Sequence, residues 1–309
     1  MPHLLKTLPN LDVYQLSAHA YAAIKNNPQP MSNAGWVDLG GLCVVFDTFL
    51  SVEAAIEMKR AALDLTGHEN FVVVNSHGHL DHIVGNGVFA PGTPIIASSA
   101  ARNEQVKSLQ EIRFGAPRVV EGVQKLEARL AATVSEAEKL DIENELIFYR
   151  NLTDPRGRIV PPNMVMSGHF AIHGETGQFD LKLIDVAHSS GDIVGYLTAE
   201  KVAFAGDLLF VGEHPWIGSG DPQALRAELV TLLESGCEVF VPGHGPLCER
   251  EQVQDQIEYL DAIQALVRDH QNEPEKIRPD GLPAKFHAYE GPCFQWNVDF
   301  LLKQYKLQP

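Results

Sequence analysis

The chain is poor in several features, and each shortage excludes something. Its four cysteines, Cys43, Cys237, Cys248 and Cys293, are scattered over 309 residues and form no CxxC pair. Neither a zinc knuckle nor a disulfide framework is expected, and scattered reduced thiols suit a cytoplasm. Positive charge is scarce: 24 Lys and Arg against 40 Asp and Glu leave a net charge of −16. A field of that sign repels phosphate backbones and argues against nucleic acid as a partner. It still admits a small anionic substrate, because a bound metal can reverse the local potential. No apolar run approaches the roughly 20 residues of a membrane helix. The opening "MPHLLKTLPNLDVYQL" has no basic stretch followed by an apolar one, so neither signal peptide nor membrane partner is expected. There is no G-x-S-x-G nucleophile motif, no low-complexity linker and no short repeat. With 45% hydrophobic and 21% charged residues, the composition is that of an ordinary globular, intracellular protein. Its length allows one large α/β domain or two smaller ones.

The elements read as follows. "GWVDLGGLCVVFDT" (35–48) is a strand, a Gly-Gly turn and a buried strand. "SVEAAIEMKRAALDLTG" (51–67) has helical apolar spacing, with Ser51 as N-cap and Gly67 as stop. "FVVVN" (71–75) and "TPIIASS" (93–99) are short buried strands. From about 100 to 165 the chain changes character. "VVEGVQKLEARLAATVSEAEKLDIENELIFYRNL" is amphipathic at helical period and reads as one long or two shorter helices, ended by "TDPRGRIVPPN". This segment is taken as a helical insertion that serves as a lid, a homodimer surface or a solvated helical pair. Strands resume with a hairpin in 169–186 around "GETGQ" and another in 192–207 around "AEK". Residues 221–236 form an N-capped helix, "CEVFVPGHG" (237–245) a strand ending in a Gly-flanked loop, and 249–271 a long helix before a mixed tail. Two strand-to-loop units end in histidine ("VVVNSHGH", "VFVPGHG") and two in acidic corners ("VVFDT", "AFAGD"). That echo suggests two related β-rich halves with one site at the strand ends between them.

The chemistry lies in "VVVNSHGHLDHIVGNG", residues 72–87. On an extended segment His77 and His79 project to the same side and can grip one metal. Asp81 and His82 follow a turn and can reach a second. Neither shell is complete locally, since a catalytic zinc takes three protein ligands plus water. Three downstream elements can complete them: His188 in "DVAHSSGD", Asp207 in "AFAGDLL" and His244 in "VPGHGPL", with glycine on both sides of His244 allowing a tight loop. Five imidazoles and two carboxylates suffice for two adjacent metals bridged by one carboxylate, with room for a bridging hydroxide.

This order of motifs, HxHxDH, then His, then Asp after an apolar strand, then a Gly-flanked His, resembles the metallo-β-lactamase superfamily across residues 35 to 248. The resemblance implies an αββα sandwich over the whole chain, 1–309, carrying the helical insertion and a C-terminal helix and tail from about 249. It implies that His77, His79 and His188 hold one metal, that Asp81, His82 and His244 hold a second, and that Asp207 bridges them. Asp207 stands where the true B1-type lactamases carry cysteine, which places the chain nearer the glyoxalase II-like and lactonase-like hydrolases. Glyoxalase II-type enzymes continue HxHxDHxGG, whereas here the continuation is "HIVGNG", which argues against that particular thioesterase.

The expected protein is a hydrolase with two zinc ions, acting on a small ester-like molecule: a thioester, lactone, β-lactam or phosphoester. Asp81 is the candidate catalytic residue, as second-metal ligand and orienter of the hydroxide. The same donors accept iron or manganese. Rival readings are a one-iron, persulfide dioxygenase-like oxidoreductase and a non-catalytic sensor with an occupied metal site. His214 and Trp216, in "GEHPWIGSGD" just after Asp207, are candidate substrate contacts. Tyr21, Asn33 and Tyr196 are lesser candidates, and His169 and His173 read as exposed or packed strand residues.

Overall fold

Runs such as "CVVF" and "FVVV" carry no polar alternation, so as strands they must be covered on both faces. The computed structural model, which describes residues 2–26, 32–154, 156 and 159–307, builds them that way. Pro155, Gly157 and Arg158 of the breaker stretch lie outside the described residues. The first sheet has eight strands in sequence order: β1 (His3–Thr7), β2 (Leu11–Gln15), β3 (Ala20–Lys25), β4 (Ala34–Asp38), β5 (Cys43–Phe46), β6 (Phe71–Val74), β7 (Ile95–Ser98) and β8 (Met164–Met166). Strands β1 to β5 form an antiparallel meander, and β5 to β8 run parallel. The second sheet has five strands: β9 (His169–His173), β10 (Gln178–Val186), β11 (Ser190–Leu197), β12 (Val202–Phe210) and β13 (Val239–His244). Strands β9 to β12 are antiparallel, and β13 joins β12 in parallel.

The sheets face one another. Along β5, Val44 and Phe46 belong to the core between the sheets, while Cys43 and Val45 belong to the core on the outer side. Along β12, Val202 and Phe204 pack inward and Ala203 and Ala205 outward. Three rings, Phe46, Phe179 and Phe204, join the sheets with centroids 5.6 to 6.4 Å apart.

Helices close both outer faces. On the first sheet lies α1 (Val52–Thr66), whose Ala54, Ala55, Met58, Ala61 and Ala62 are buried. The Ser51 hydroxyl accepts from the Ala54 amide, and Gly67 ends the helix at φ 70°. Two one-turn helices follow β6: α2 (Leu80–Ile83) and α3 (Asn86–Phe89). The insertion is two helices, α4 (Ser99–Ala132), leaving β7 directly through the Ser98 cap, and α5 (Glu136–Thr153). Their apolar stripes meet at Leu126, Ile142 and Leu146, while the base of α4 rests against β7, β8 and β11. On the second sheet lie α6 (Pro222–Glu234), capped by Asp221, α7 (Arg250–Asp269) and α8 (Cys293–Leu307). The layers are therefore helix, sheet, sheet, helix, as expected.

Two stretches go beyond the sequence reading. Residues 3–25 form three strands, whose readable sign is the alternation in "LDVYQ", with Leu11 and Val13 buried. The tail holds α8, whose Phe294, Val298 and Leu301 pack against the second sheet's outer core. No helix among the described residues is long and apolar enough to cross a membrane, and the four cysteines are unpaired.

Candidate metal centre

Parallel strands deliver their carboxyl ends to the same edge of a sandwich, and loops can converge there. The loop leaving β6 carries His77 and His79, and α2 turns the chain so that Asp81 and His82 follow. His188 sits at the β10–β11 turn, Asp207 lies within β12, and His244 ends β13. The structure brings all seven together in two groups, His77, His79, His188 and Asp207, and Asp81, His82 and His244, each with its donor atoms within 4.8 Å of one another.

Asp207 faces both groups with different oxygens. Its Oδ2 lies 3.3 Å from His188 Nε2 and 3.6 Å from His77 Nε2. Its Oδ1 lies 2.9 Å from His82 Nε2 and 3.5 Å from His244 Nε2. The groups close further through His79 Nδ1, 3.1 Å from His188 Nε2, and Asp81 Oδ2, 3.2 Å from His244 Nε2. Buried polar atoms are nearly always hydrogen-bonded, yet His77 Nε2, His82 Nε2 and Asp207 Oδ1 are not. The 2.9 Å approach of His82 to Asp207 lacks hydrogen-bond geometry. Buried imidazole and carboxylate donors that converge while several of their atoms find no hydrogen-bond partner are what a divalent cation satisfies, so this donor set fits metal ions.

The proton affinities divide the same way. Burial lowers the pKa of His77 well below the usual histidine value and that of His188 to about 3. Burial also opposes charge on His82 and His244, but there the carboxylates win. Asp207, Asp81 and Asp47 raise His82 well above the usual value, and Asp207 and Asp81 raise His244 to about 9. Burial disfavours charge on Asp207 and Asp81 too, and their imidazole neighbours overcome it and hold both below the usual carboxylate range. Protons and metals compete for the same lone pairs. Metal uptake by the second group must displace protons, whereas His77 and His188 of the first have none to lose at neutral pH. Acidifying loaded protein from pH 8 to pH 6 should therefore release the metal at Asp81, His82 and His244 first, as metal analysis of dialysed samples at each pH would show. Simultaneous loss of both metals would contradict this.

A ring of hydrogen bonds orients the ligands. The Asp47 carboxylate accepts from the Ser76 amide and hydroxyl, both at 2.7 Å, and pairs with His82 Nδ1 at 2.8 Å. Ser76 Oγ in turn lies 2.8 Å from His77 Nδ1, so one carboxylate steadies a ligand in each group. Asp47 holds this place with φ 62°, a left-handed conformation costly for a residue with a side chain. Asn33 fixes the His244 loop, donating from Nδ2 to the Pro242 and Gly245 carbonyls. His188 Nδ1 meets the Trp216 carbonyl at 3.1 Å. Val84 stands where the first glycine of HxHxDHxGG would be, and just beyond the motif Asn86 exchanges two hydrogen bonds with Asn75 and accepts from Thr48. Asp47→Ala should weaken metal binding by about 10- to 100-fold, the usual cost of losing a group that orients a ligand. A metal-chelator competition titration would measure it, and an unchanged affinity would deny Asp47 that role.

A cavity of about 770 Å³ opens over the ligands and includes His79, Asp81, Asp207 and His244 in its wall. The insertion reaches it through Glu104 and Ser108 of α4 and Phe148 of α5. Both expected substrate contacts line it, in different ways. The Trp216 ring forms part of the wall. His214 is buried, its Nδ1 2.8 Å from the Tyr259 hydroxyl and its ring packed on Phe294. Of the lesser candidates, Tyr21 stacks on Trp36 and Tyr196 lines a separate groove, while His169 and His173 are exposed on β9. Asp47, Ser76 and Trp296 escaped the sequence reading. Only Asp47 left a signal there, as the acidic corner of "VVFDT".

A two-sheet, four-layer fold with histidine and aspartate donors gathered at one strand edge defines a class of metalloproteins. The model of the metallo-beta-lactamase superfamily matches residues 28–244, and the chain belongs to that superfamily. A search of curated protein sequences returned no match. Among solved structures, a metallo-beta-lactamase from Pontibacter korlensis is 15% identical with a TM-score of 0.52, covering 84% of this chain and 99% of its own. A metallo-beta-lactamase from Erythrobacter litoralis is 14% identical with a TM-score of 0.57 and the same coverage. The inverting sec-alkylsulfatase Pisa1 from a Pseudomonas species is 16% identical with a TM-score of 0.63. It matches 99% of this chain, which spans only 50% of the alkylsulfatase. At such identities the likeness is one of fold.

Proposed function

We propose that this protein is a hydrolase of small ester-like molecules that works with two divalent metal ions, zinc foremost. His77, His79 and His188 hold one ion, Asp81, His82 and His244 the other, and Asp207 spans them. The observation that carries this reading is the division of Asp207, with one oxygen toward each histidine group. When bound, such a pair of ions makes a shared water acidic enough to be a nucleophile near neutral pH and polarises the oxygen under attack. The side chains do the remainder. Asp47 and Ser76 hold imidazole rings in place, and the Trp216 carbonyl holds His188. Asp81 is the more exposed of the two carboxylates and faces the cavity, where it orients the attacking water and takes up its proton. The water oxygen bonds to the acyl, phosphoryl or sulfuryl centre, and the alcohol or thiol leaves with a proton.

Testing it takes metal analysis of the purified protein and a panel of generic substrates: p-nitrophenyl esters, a thioester, a lactone, a β-lactam, a phosphodiester and an alkyl sulfate. About two zinc ions per chain with turnover that a chelator abolishes and zinc restores is the expected result. One iron per chain with persulfide-dependent oxygen uptake would replace this reading with the oxidoreductase. Full metal and no turnover of any panel member would leave a sensor.

A further inference from the structure

The C-terminal helix α8 is built into the cavity as well as into the core. Its Phe294, Val298 and Leu301 face the core, while Cys293 and Trp296 face the cavity. Asn297, fully buried, ties the helix to the loop after Asp207: its Oδ1 accepts from the Ile217 amide and its Nδ2 donates to the Pro215 carbonyl at 2.6 Å. Trp216 lies between those two anchored groups. Its carbonyl meets His188, and its indole N–H donates to Ser219 Oγ at 2.7 Å, so the ring is fixed. Trp296 sets its ring edge against that of Trp216, with centroids 5.8 Å apart and planes at 88°. Leu50, Leu80 and Phe148 line the same cavity. The cavity thus combines metal-ligand side chains with a mainly apolar lining, into which Lys25, Glu104, Ser108 and Glu213 also reach. Trp296 is half exposed, at 52%, although a tryptophan gains from burial.

We propose that α8 makes this a site for esters with a bulky apolar group, an alkyl chain or aryl ring, which lies against Trp296 and Trp216 while the scissile bond rests on the metal-ligand side chains. This deepens the hydrolase reading and rests on it for the reaction, though not for the binding. Trp296 is the specificity-determining residue, and Asn297 positions it. A substrate with only a small group leaves the aromatic wall wet. A longer chain displaces that water and gains affinity with each methylene that it buries.

The test uses zinc-loaded full-length protein with Trp296→Ala and Trp296→Phe variants, whose metal content and melting temperature serve as folding controls. In the binding arm, tryptophan fluorescence follows titration with straight-chain carboxylates from acetate to decanoate. Trp36 is buried and stacked on Tyr21, so the signal reports Trp216 and Trp296. Decanoate should bind the parent at least about tenfold more tightly than butyrate, and Trp296→Ala should remove most of that gain. In the turnover arm, the ratio of kcat/KM for p-nitrophenyl octanoate to that for the acetate should fall about tenfold in Trp296→Ala and recover in Trp296→Phe. Affinity independent of chain length, or a chain-length gain that survives Trp296→Ala, would overturn the proposal. Should the parent hydrolyse neither these esters nor any member of the substrate panel, the hydrolase reading fails, and the binding arm alone still decides the role of α8.

Discussion

Asp207→Ala should lower turnover by about a thousandfold or more, because the loss reaches both metal positions at once. The carboxylate gives Oδ2 to the His77 and His188 side and Oδ1 to the His82 and His244 side. Without it, five imidazoles face one another with only Asp81 to offset the charge of the metal ions proposed there. Metal content should fall below two per chain, the second group emptying first, since His82 and His244 owe their raised proton affinity chiefly to Asp207. The fold should persist, because β12 is held by Val202, Phe204, Leu208 and Leu209, all buried in the cores on its two sides. Asp207→Asn keeps the shape and one strong acceptor, so it should retain about one metal per chain. Atomic absorption with circular dichroism and a melting curve checks all of this. Two metals and undiminished turnover in the alanine variant would remove Asp207 from the bridging position.

The second large effect comes from a position with no chemistry of its own. A Cβ on Gly243 would overlap Asp207 Oδ1 and would lie 2.8 Å from the Gly206 carbonyl carbon and 2.9 Å from the Asp207 amide nitrogen. The last two are backbone atoms of β12, so the methyl can be accommodated only by parting β12 from β13. Those strands carry Asp207 and His244. Gly243→Ala should therefore cost stability of about 1–3 kcal/mol, as overpacking does, and turnover of about a hundredfold through misplaced ligands. Gly122, in α4, has open space where its Cβ would be. Gly122→Ala should instead stabilise by about 1 kcal/mol through helix propensity and leave the metal content alone. Thermal melts of both variants beside metal analysis make the comparison, and a Gly243→Ala protein with parental melting and metal content would contradict the packing account.

Much of this molecule is legible locally because its signals are short-range. The doubly buried strands announce themselves as unbroken β-branched runs, and the caps of α1 and α6 as Ser51 and Asp221 one residue before helical spacing begins. Four of the seven donors fall within six residues, 77 to 82, and the other three each end or interrupt an apolar strand. The β1–β3 meander is less legible because alanine dominates "AYAAI" and alternation is weak, and α8 because a single aromatic-rich stretch has no neighbour to compare with.

The sequence by itself determined the donor inventory and most strands and helices between β4 and α7, since residue type and period follow from covalent neighbours, while the two-layer β architecture followed from the resemblance that the donor motifs carry. The tertiary structure brings the donors together in the grouping that the resemblance implied, and it alone decided which Asp207 oxygen faces which group and which polar side chains hold the ligands still. Asp47 finds Ser76 across 29 residues, and Asn33 finds the Pro242 carbonyl across 209. Trp296 meets Trp216 only because Asn297 ties α8 to Pro215 and Ile217 some 80 residues earlier. A hydrogen bond has no sequence period. Its partner is set by which strands the two sheets bring to a common edge, and that depends on packing the whole chain.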